Sequence, residues 1–282
     1  MKILVITQYF WPENFKINDV VNDLSKRGHQ ITVLTGVPNY PEGNVFKEFK
    51  EAPQNFNKYA NANIIRVPML TRGKSAIRLM LNYFAFACSA SLIGAYKMRK
   101  HDVDVIFVFE PSPITVGLPS SLLRYFKKAP VVFWVQDLWP ETLQAIGIVR
   151  SQLLIKIVGR LVSFIYNRCD LILAQSKSFI PQIQKYSNKI TPVVYLPNWA
   201  EKFFDTNNII LASEVPLKAG SFDMMFAGNI GEAQDFPAIL AAAEILKSQV
   251  HIRWLIVGDG RMAGWVTNEI KRRNLEGIVL ML

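Results

Sequence analysis

Lys2-Ile-Leu-Val-Ile6 and, past one helical repeat, Arg27-Gly-His-Gln-Ile-Thr-Val-Leu-Thr35 are the two stretches on which the fold turns. The first is a short apolar run. Between them, residues 15–27 place Ile17, Val20, Val21 and Leu24 at helical spacing. Gly28 stands where a helix C-terminus favours a residue without Cβ, and 30–34 is β-rich again. Strand, helix and strand in this order form a βαβ unit, whose crossover makes the two strands parallel and the connection right-handed.

Outward from that unit the alternation continues. Strands are expected at 63–67, 103–109, 131–135, 170–174 and 191–196, with helices near 75–98, 115–126, 152–167 and 178–186. Several strands are nearly continuous in Val, Ile, Leu and Phe, the pattern of a parallel sheet covered on both faces. This predicts a doubly wound α/β domain over 1–200. Pro197 and Asn198 break the pattern, and 201–221 reads as a linker. A second β/α series fills 222–282: strands at 222–226, 251–257 and 278–282, helices at 236–248 and 261–273. The chain then stops on Val-Leu-Met-Leu inside a strand. An exposed sheet edge and a half-covered core are expected, and the sequence reads as truncated.

The 282 residues are 50% apolar, 12% aromatic and 19% charged, enough to bury a large core and unlike a disordered or collagenous chain. Net charge is +10, and it is unevenly spread. Residues 1–221 hold 26 basic against 15 acidic side chains, whereas 222–282 hold 6 against 7. From Ala52 to His101 there are eight basic residues and no acid. Such a block attracts nucleic acid, phosphorylated substrates or anionic lipid, or is simply a solvated face; charge alone leaves these open.

Cys88 and Cys169 have no spacing that marks a disulfide framework or a zinc site, so a reducing cytoplasm fits. The opening apolar run is shorter than a signal-peptide core and reads as a strand. Metalloprotease, zinc-finger, P-loop and α/β-hydrolase motifs do not occur. His29, His101 and His251 sit at strand entrances or in a basic run, and no metal cluster is visible.

Ligands of open parallel sheets bind beyond the carboxyl ends of the strands. Those positions hold Gln8, Trp11, Pro12, Glu13 and Asn14, then Glu110-Pro-Ser-Pro113, then Gln136-Asp-Leu-Trp-Pro-Glu141. Carboxylates and amides bond sugar hydroxyls while aromatic faces cover the ring, so the mixture suits a carbohydrate. A structural role is equally open: Trp139-Pro140 could plug the sheet end and Asp137 could cap a helix. In the second series, Gly228-Asn229-Ile-Gly231 and Gly258-Asp-Gly260 each follow a strand and precede a helix. Two glycine turns at equivalent places favour a nucleotide cleft, with helix N–H groups facing a diphosphate. The spacing from Gly258 to Gly264 does not make a dinucleotide fingerprint.

The stretch 79–96 has only Asn82, Ser89 and Ser91 as clearly polar side chains and is bracketed by Arg78 and Lys97. A membrane crossing there would divide the sheet between compartments, so a core or surface-lying helix is expected, suited to docking on anionic lipid. The apolar positions of 150–168 are amphipathic and expected to pack on the sheet.

Taken in order, the opening strand, the Arg27-Gly-His29 segment, Gln136-Asp-Leu-Trp-Pro140, Leu196-Pro-Asn-Trp199, Phe226-Ala-Gly228 and Ile256-Val-Gly-Asp-Gly260 resemble family-4 glycosyltransferases of the GT-B fold. The Asp-Leu-Trp-Pro-Glu segment is most similar to the WbuB-type subgroup, which adds amino sugars such as N-acetyl-L-fucosamine in O-antigen or capsule assembly. The resemblance implies two Rossmann-like doubly wound domains with the active site in the cleft between them, the second domain incomplete here. It also implies retaining transfer from a nucleotide diphosphate sugar, UDP-linked, with no cofactor and no essential metal.

The first domain would hold a polyprenyl-diphosphate-linked saccharide at the inner face of the plasma membrane, with no nucleic-acid partner. Asp137 and Glu110 would be catalytic. Trp11, Asn14, Gln136, Trp139 and Glu141 would bind the acceptor, and Gly228, Asn229, Gly231, Gln234, Gly258, Asp259 and Gly260 the donor. The sequence departs from the family where Trp11-Pro-Glu-Asn-Phe15 replaces a glycine pair, where Gln136 replaces a His, and where Asn229 and Ala233-Gln234 replace an Arg and a Lys. The later paired glutamates are absent, so weak or no activity is expected of this chain. The alternative reading is an inactive module that only binds membrane or acceptor.

Overall fold

In the first strand, β1 (Lys2–Ile6), every residue after Lys2 is buried: Ile3 and Val5 enter one core, Leu4 and Ile6 the other. A strand of period two can do this only when both faces of its sheet are covered. The structure, a computed structural model, describes residues 1–73, 75–145, 151–200, 212–216, 218–249 and 251–282. The chain divides into two compact units, Met1–Trp199 and Ala200–Leu282. The expected linker over 201–221 lies largely outside the described residues.

In the first unit β1 is followed by α1 (Lys16–Lys26), β2 (Gln30–Thr35), α2 (Lys47–Glu51), β3 (Lys58–Tyr59) and β4 (Ala62–Arg66). Then come α3 (Ala76–Ser89), continued through a π-helical turn (Ala90–Gly94) into α4 (Ala95–Met98), and β5 (Val105–Glu110). The series ends with α5 (Gly117–Lys127), β6 (Val131–Val135), α6 (Glu141–Ala145), α7 (Gln152–Tyr166), β7 (Leu171–Ala174), α8 (Phe179–Tyr186) and β8 (Val193–Tyr195). The strand order is β3-β4-β2-β1-β5-β6-β7-β8.

All pairs are parallel except β3 with β4, where Tyr59 faces Ala62 across a turn in which Ala60 takes a left-handed φ of 49°. The purely parallel sheet expected from sequence therefore carries a short antiparallel edge, too brief at two residues to show a period. The short helices α2 and α6 escaped the periodic reading for the same reason.

Ser75 and Ser151 cap α3 and α7, accepting from Arg78 N and Leu154 N. At the π turn the helix lies so close to β2 that a Cβ on Gly94 would stand 2.8 Å from Leu34. One face of the sheet is covered by α1 through Ile17 and Val21; the other packs against Phe86 of α3, Leu123 of α5 and Val162 of α7. Each such side chain contributes about 1.5–3 kcal/mol when fully buried. From β1 the chain winds outward through β2 and β4, then returns to set β5 on the other side of β1. That reversal opens a crevice above the carboxyl ends of β1 and β5.

The second unit carries β9 (Phe222–Ala227), α9 (Phe236–Ile245), β10 (Ile252–Val257), α10 (Ala263–Arg272) and β11 (Val279–Met281) in a parallel sheet ordered β11-β10-β9. Ile230, Phe236, Leu240, Ile256, Val266 and Ile270 form its core. Directly across β9 and β10, the Arg253 fork donates from Nε to Asp223 Oδ1 at 2.7 Å and from Nη2 to Oδ2 at 2.5 Å. Both units are Rossmann-like.

Candidate functional site

Glu110 ends β5 and is fully buried. Its Oε2 accepts from the backbone N–H of Gln136 at 3.3 Å and of Asp137 at 3.4 Å, and the Trp139 indole N–H faces the same carboxyl. Burial, and after it the charge of Asp137, push the Glu110 carboxyl well above the usual carboxylate range, against the pull of the two N–H groups. Asp137 is half-buried and is itself pushed up to about 6 by burial. The two carboxyls thus stand beside the reversal point of the sheet, one sealed beneath the other. Glu110 was expected to touch substrate; its complete burial makes it a positioning residue that holds the backbone of Asp137.

Across the crevice, Glu13 is buried and receives Phe10 N at 3.1 Å, Asn39 N at 2.7 Å and Tyr40 N at 2.7 Å. Burial pushes its carboxyl up to about 7, the three N–H groups and the Arg66 charge acting the other way. It ties the loop after β1 to the loop after β2. Asn39 extends the tie, its Oδ1 accepting from Arg72 N at 2.9 Å. The Arg72 guanidinium lies 5.2 Å from the Tyr40 ring centre, and the Tyr9 and Tyr40 rings are 5.3 Å apart. Burial pushes the Tyr83 phenol up, with Arg72 and a hydrogen bond to Ser112 opposing and Asp137 adding to the rise. Tyr40 and Tyr83 carry no sequence signal and Arg72 counts there only as one of the basic block, because the three come from separate loops and a helix that only the sheet brings to one edge.

The expected acceptor residues divide. Asn14 is exposed, and Trp11 is half-exposed against Phe56 and Tyr59, so both are accessible from this edge. Gln136 is nearly buried, and its Oε1 accepts from Asn198 Nδ2 at 2.8 Å; the same Nδ2 reaches Gln175 Oε1 at 2.6 Å. That chain ties the ends of β6, β7 and β8. Trp139 is 8% exposed and belongs to the core, so the expectation of an indole face open to a sugar is corrected: it plugs the sheet end. Glu141 interacts with the Tyr186 phenol.

In the second unit a Cβ on Gly258 would stand 2.0 Å from the Gly228 carbonyl oxygen, and one on Gly260 2.3 Å from that of Ile230. Ile230 N donates to Asp259 O at 2.8 Å. The two loops are glycine-rich where they lie against each other, the steric need of strand-end turns that stands beside the diphosphate contact expected from sequence. Asp259 Oδ1 accepts from Gly260 N at 2.7 Å. Asn229 Nδ2 and Gln234 Oε1 crowd Gly231, and Gln234 Oε1 is buried without a partner. The N-terminus of α9, expected to offer open N–H groups, is capped by Asp235, whose Oδ1 accepts from Ala238 N at 3.4 Å. A recess of about 620 Å³ opens at the opposite, amino ends of the first sheet's strands, lined by Lys2, His29, Gln30, Asn63, His101 and Asp102. It shares no residue with the carboxylate site. Among the described residues, no three His, Cys, Asp or Glu side chains converge as a metal site would require.

The profile of Glycosyltransferase Family 4 matches residues 17–201, and the chain belongs to that family. Two bacterial proteins provisionally named as glycosyltransferases are similar to it. WbjE of Pseudomonas aeruginosa is 26% identical over 212 residues, covering 74% of this chain and 49% of WbjE. WcaI of Escherichia coli (strain K12), assigned by its name to colanic acid biosynthesis, is 24% identical over 274 residues, covering 92% of this chain and 66% of WcaI. The chain thus spans half to two thirds of the length of these relatives. Among solved structures, sucrose-phosphate synthase from Thermosynechococcus elongatus superposes with a TM-score of 0.71 at 14% identity, over 100% of this chain and 70% of that one. Anabaena HepE in complex with UDP and glucose gives a TM-score of 0.59 at 13% identity, over 100% of this chain and 69% of that one. These likenesses establish the fold as that of GT-B glycosyltransferases.

Proposed function

We propose that this chain carries the acceptor-binding unit and part of the donor-binding unit of a retaining glycosyltransferase. The donor is a UDP-linked amino sugar and the acceptor a polyprenyl-diphosphate-linked saccharide, reached at the cytoplasmic face of the membrane during surface-polysaccharide assembly. No metal is required. The reading rests above all on the Glu110–Asp137 pair at the reversal point of a family-4 sheet. The UDP held by HepE supports the nucleotide, the name of WcaI supports a polysaccharide product, and Asp137-Leu-Trp-Pro-Glu141 supports the amino sugar.

In the reaction the bond from the sugar's C1 to the diphosphate oxygen breaks, its electron pair leaving with UDP. An acceptor hydroxyl oxygen bonds C1 from the same face and passes its proton to the departing diphosphate oxygen. Asp137, about 6 by its surroundings, is ionised at neutral pH. It accepts a hydrogen bond from the acceptor hydroxyl and faces the positive charge growing at C1. Burial and the Asp137 charge hold the Glu110 carboxyl beneath it well above the usual carboxylate range, which favours one negative charge in the site over two. Trp11 and Asn14 present an aromatic face and an amide to the acceptor sugar.

The test is transfer from a panel of UDP- and GDP-sugars to a polyprenyl-diphosphate-linked saccharide, by the chain alone and fused to the C-terminal segment of WcaI. Asp137→Asn is expected to lower kcat/KM by about 10²-fold or more. Transfer from no donor by the fusion, or full activity of Asp137→Asn, overturns the reading.

A further inference from the structure

Three helices on one face of the first sheet leave a broad apolar surface uncovered. The α3–α4 rod, α5 and α7 are in contact in that order, and all three send their inner side chains into the same core. Their outer sides are not polar. Phe84 and Leu92 on the rod are 46% and 70% exposed, Tyr125 and Phe126 on α5 83% and 67%, and Leu153 and Ile157 on α7 68% and 50%. An outward helix face normally carries charges of both signs. Here the three helices hold Arg78, Lys97, Arg124, Lys127, Lys156 and Arg160 and no Asp or Glu; Arg124 pairs with Asp170 outside them at 3.3 Å, and Arg78, Lys97 and Lys127 also donate to backbone carbonyls. The segment Ile77–Met98 is long and apolar enough to cross a membrane, yet it lies on the sheet between β4 and β5, two strands of one sheet. The apolar spacing of 150–168 predicts packing on the sheet; α7 does pack there through Val162 and Ile165, but Leu153, Leu154 and Ile157 of the same set face outward.

We infer that this face is a docking surface for an anionic lipid bilayer, with the apolar side chains entering the acyl boundary and the basic excess of these helices meeting the headgroups. The charge pattern selects this occupant. A second copy of the chain would set cations against cations, and a neutral apolar partner would leave the exclusion of every acid unexplained. An anionic surface answers both features at once. The inference rests on the membrane setting proposed above and locates it on named helices; it makes no use of the transfer chemistry.

Cys88 lies exposed on this face, whereas Cys169 is buried with its thiol pushed up. An environment-sensitive fluorophore therefore attaches at Cys88 without mutation. The labelled chain is mixed with vesicles of phosphatidylglycerol in phosphatidylcholine, and with phosphatidylcholine alone. Sedimentation with the anionic vesicles only, a blue shift at Cys88, and weakening by salt are expected. Leu92→Glu with Ile157→Glu, both at exposed positions, is expected to lower partitioning about tenfold or more while the circular dichroism spectrum is kept.

No sedimentation, or sedimentation without the Cys88 shift, overturns the inference, and either result is read on the unmutated chain. A lipid-free dimer dissolved by the same pair of substitutions, seen by analytical ultracentrifugation, overturns it in favour of self-association. Transfer assays on the same samples report the enzymatic reading separately, since neither substitution touches the Asp137 crevice.

Discussion

Replacing Glu110 by Gln tests the central electrostatic claim about the site. In the folded chain the Glu110 carboxyl keeps its proton well above its ordinary value of 4.5. Between 4.5 and that raised value the folded state binds one proton that the unfolded chain has already lost. The contribution of Glu110 to stability is therefore complete below 4.5 and declines as pH rises through the folded value, with a slope of up to about 1.4 kcal/mol per pH unit. Gln is neutral throughout, nearly the same shape, and its carbonyl oxygen can still accept from Gln136 N and Asp137 N. Near the acid end Glu110→Gln is expected within about 1 kcal/mol of wild type, and as pH rises the variant gains relative to it. Glu110→Ala instead strands two buried N–H groups and opens a cavity, at a cost of about 3–6 kcal/mol. Urea unfolding at a series of pH values measures all three chains. Parallel pH profiles for wild type and Glu110→Gln, or a large loss in the Gln variant at neutral pH, would show that the carboxylate is ionised in place and refute the reasoning.

Asp137→Asn removes a group whose folded value of about 6 exceeds its ordinary 3.8, so the variant is expected to gain about 1–3 kcal/mol above pH 6 in the same unfolding experiment, even as transfer is lost. Glu13→Ala leaves the N–H groups of Phe10, Asn39 and Tyr40 without their acceptor and is expected to cost about 3–6 kcal/mol, read as a lowered urea midpoint. Gly258→Ala must place a Cβ 2.0 Å from the Gly228 oxygen at a φ of 140°, and a loss of about 2–4 kcal/mol is expected in thermal unfolding. Gly264→Ala, in α10 with nothing within 4 Å of the new atom, is its control and is expected to be neutral or stabilising by about 0.5–1 kcal/mol.

The regular elements were legible because their signal is local. Ile3 and Val5 alternate with Leu4 and Ile6, and Ile17, Val21 and Leu24 recur at the helical period, so any neighbouring elements that cover both faces satisfy them. The edges were less so: β3 is too short to have a period, and its antiparallel pairing depends on a turn that Ala60 makes only in context. Candidate residues past the strand ends were also visible, since the end of an apolar run marks the edge of a parallel sheet.

What each of those residues does was decided elsewhere. Glu110 and Asp137 look alike in sequence, and only the packing of β5 against β6 seals one and leaves the other accessible. Trp139 is two residues from Asp137 yet faces the core, and Arg72 joins Tyr9 and Tyr40 only because β1, β2 and β4 are neighbours. The sequence by itself determined the longer strands and helices, and that its first part is basic. The strand order, the crevice between β1 and β5, the depth of each carboxyl and the outward apolar face of three helices were set by tertiary structure. The physical reason is range: periodicity acts over a few residues, whereas desolvation and charge coupling depend on groups brought together from far along the chain.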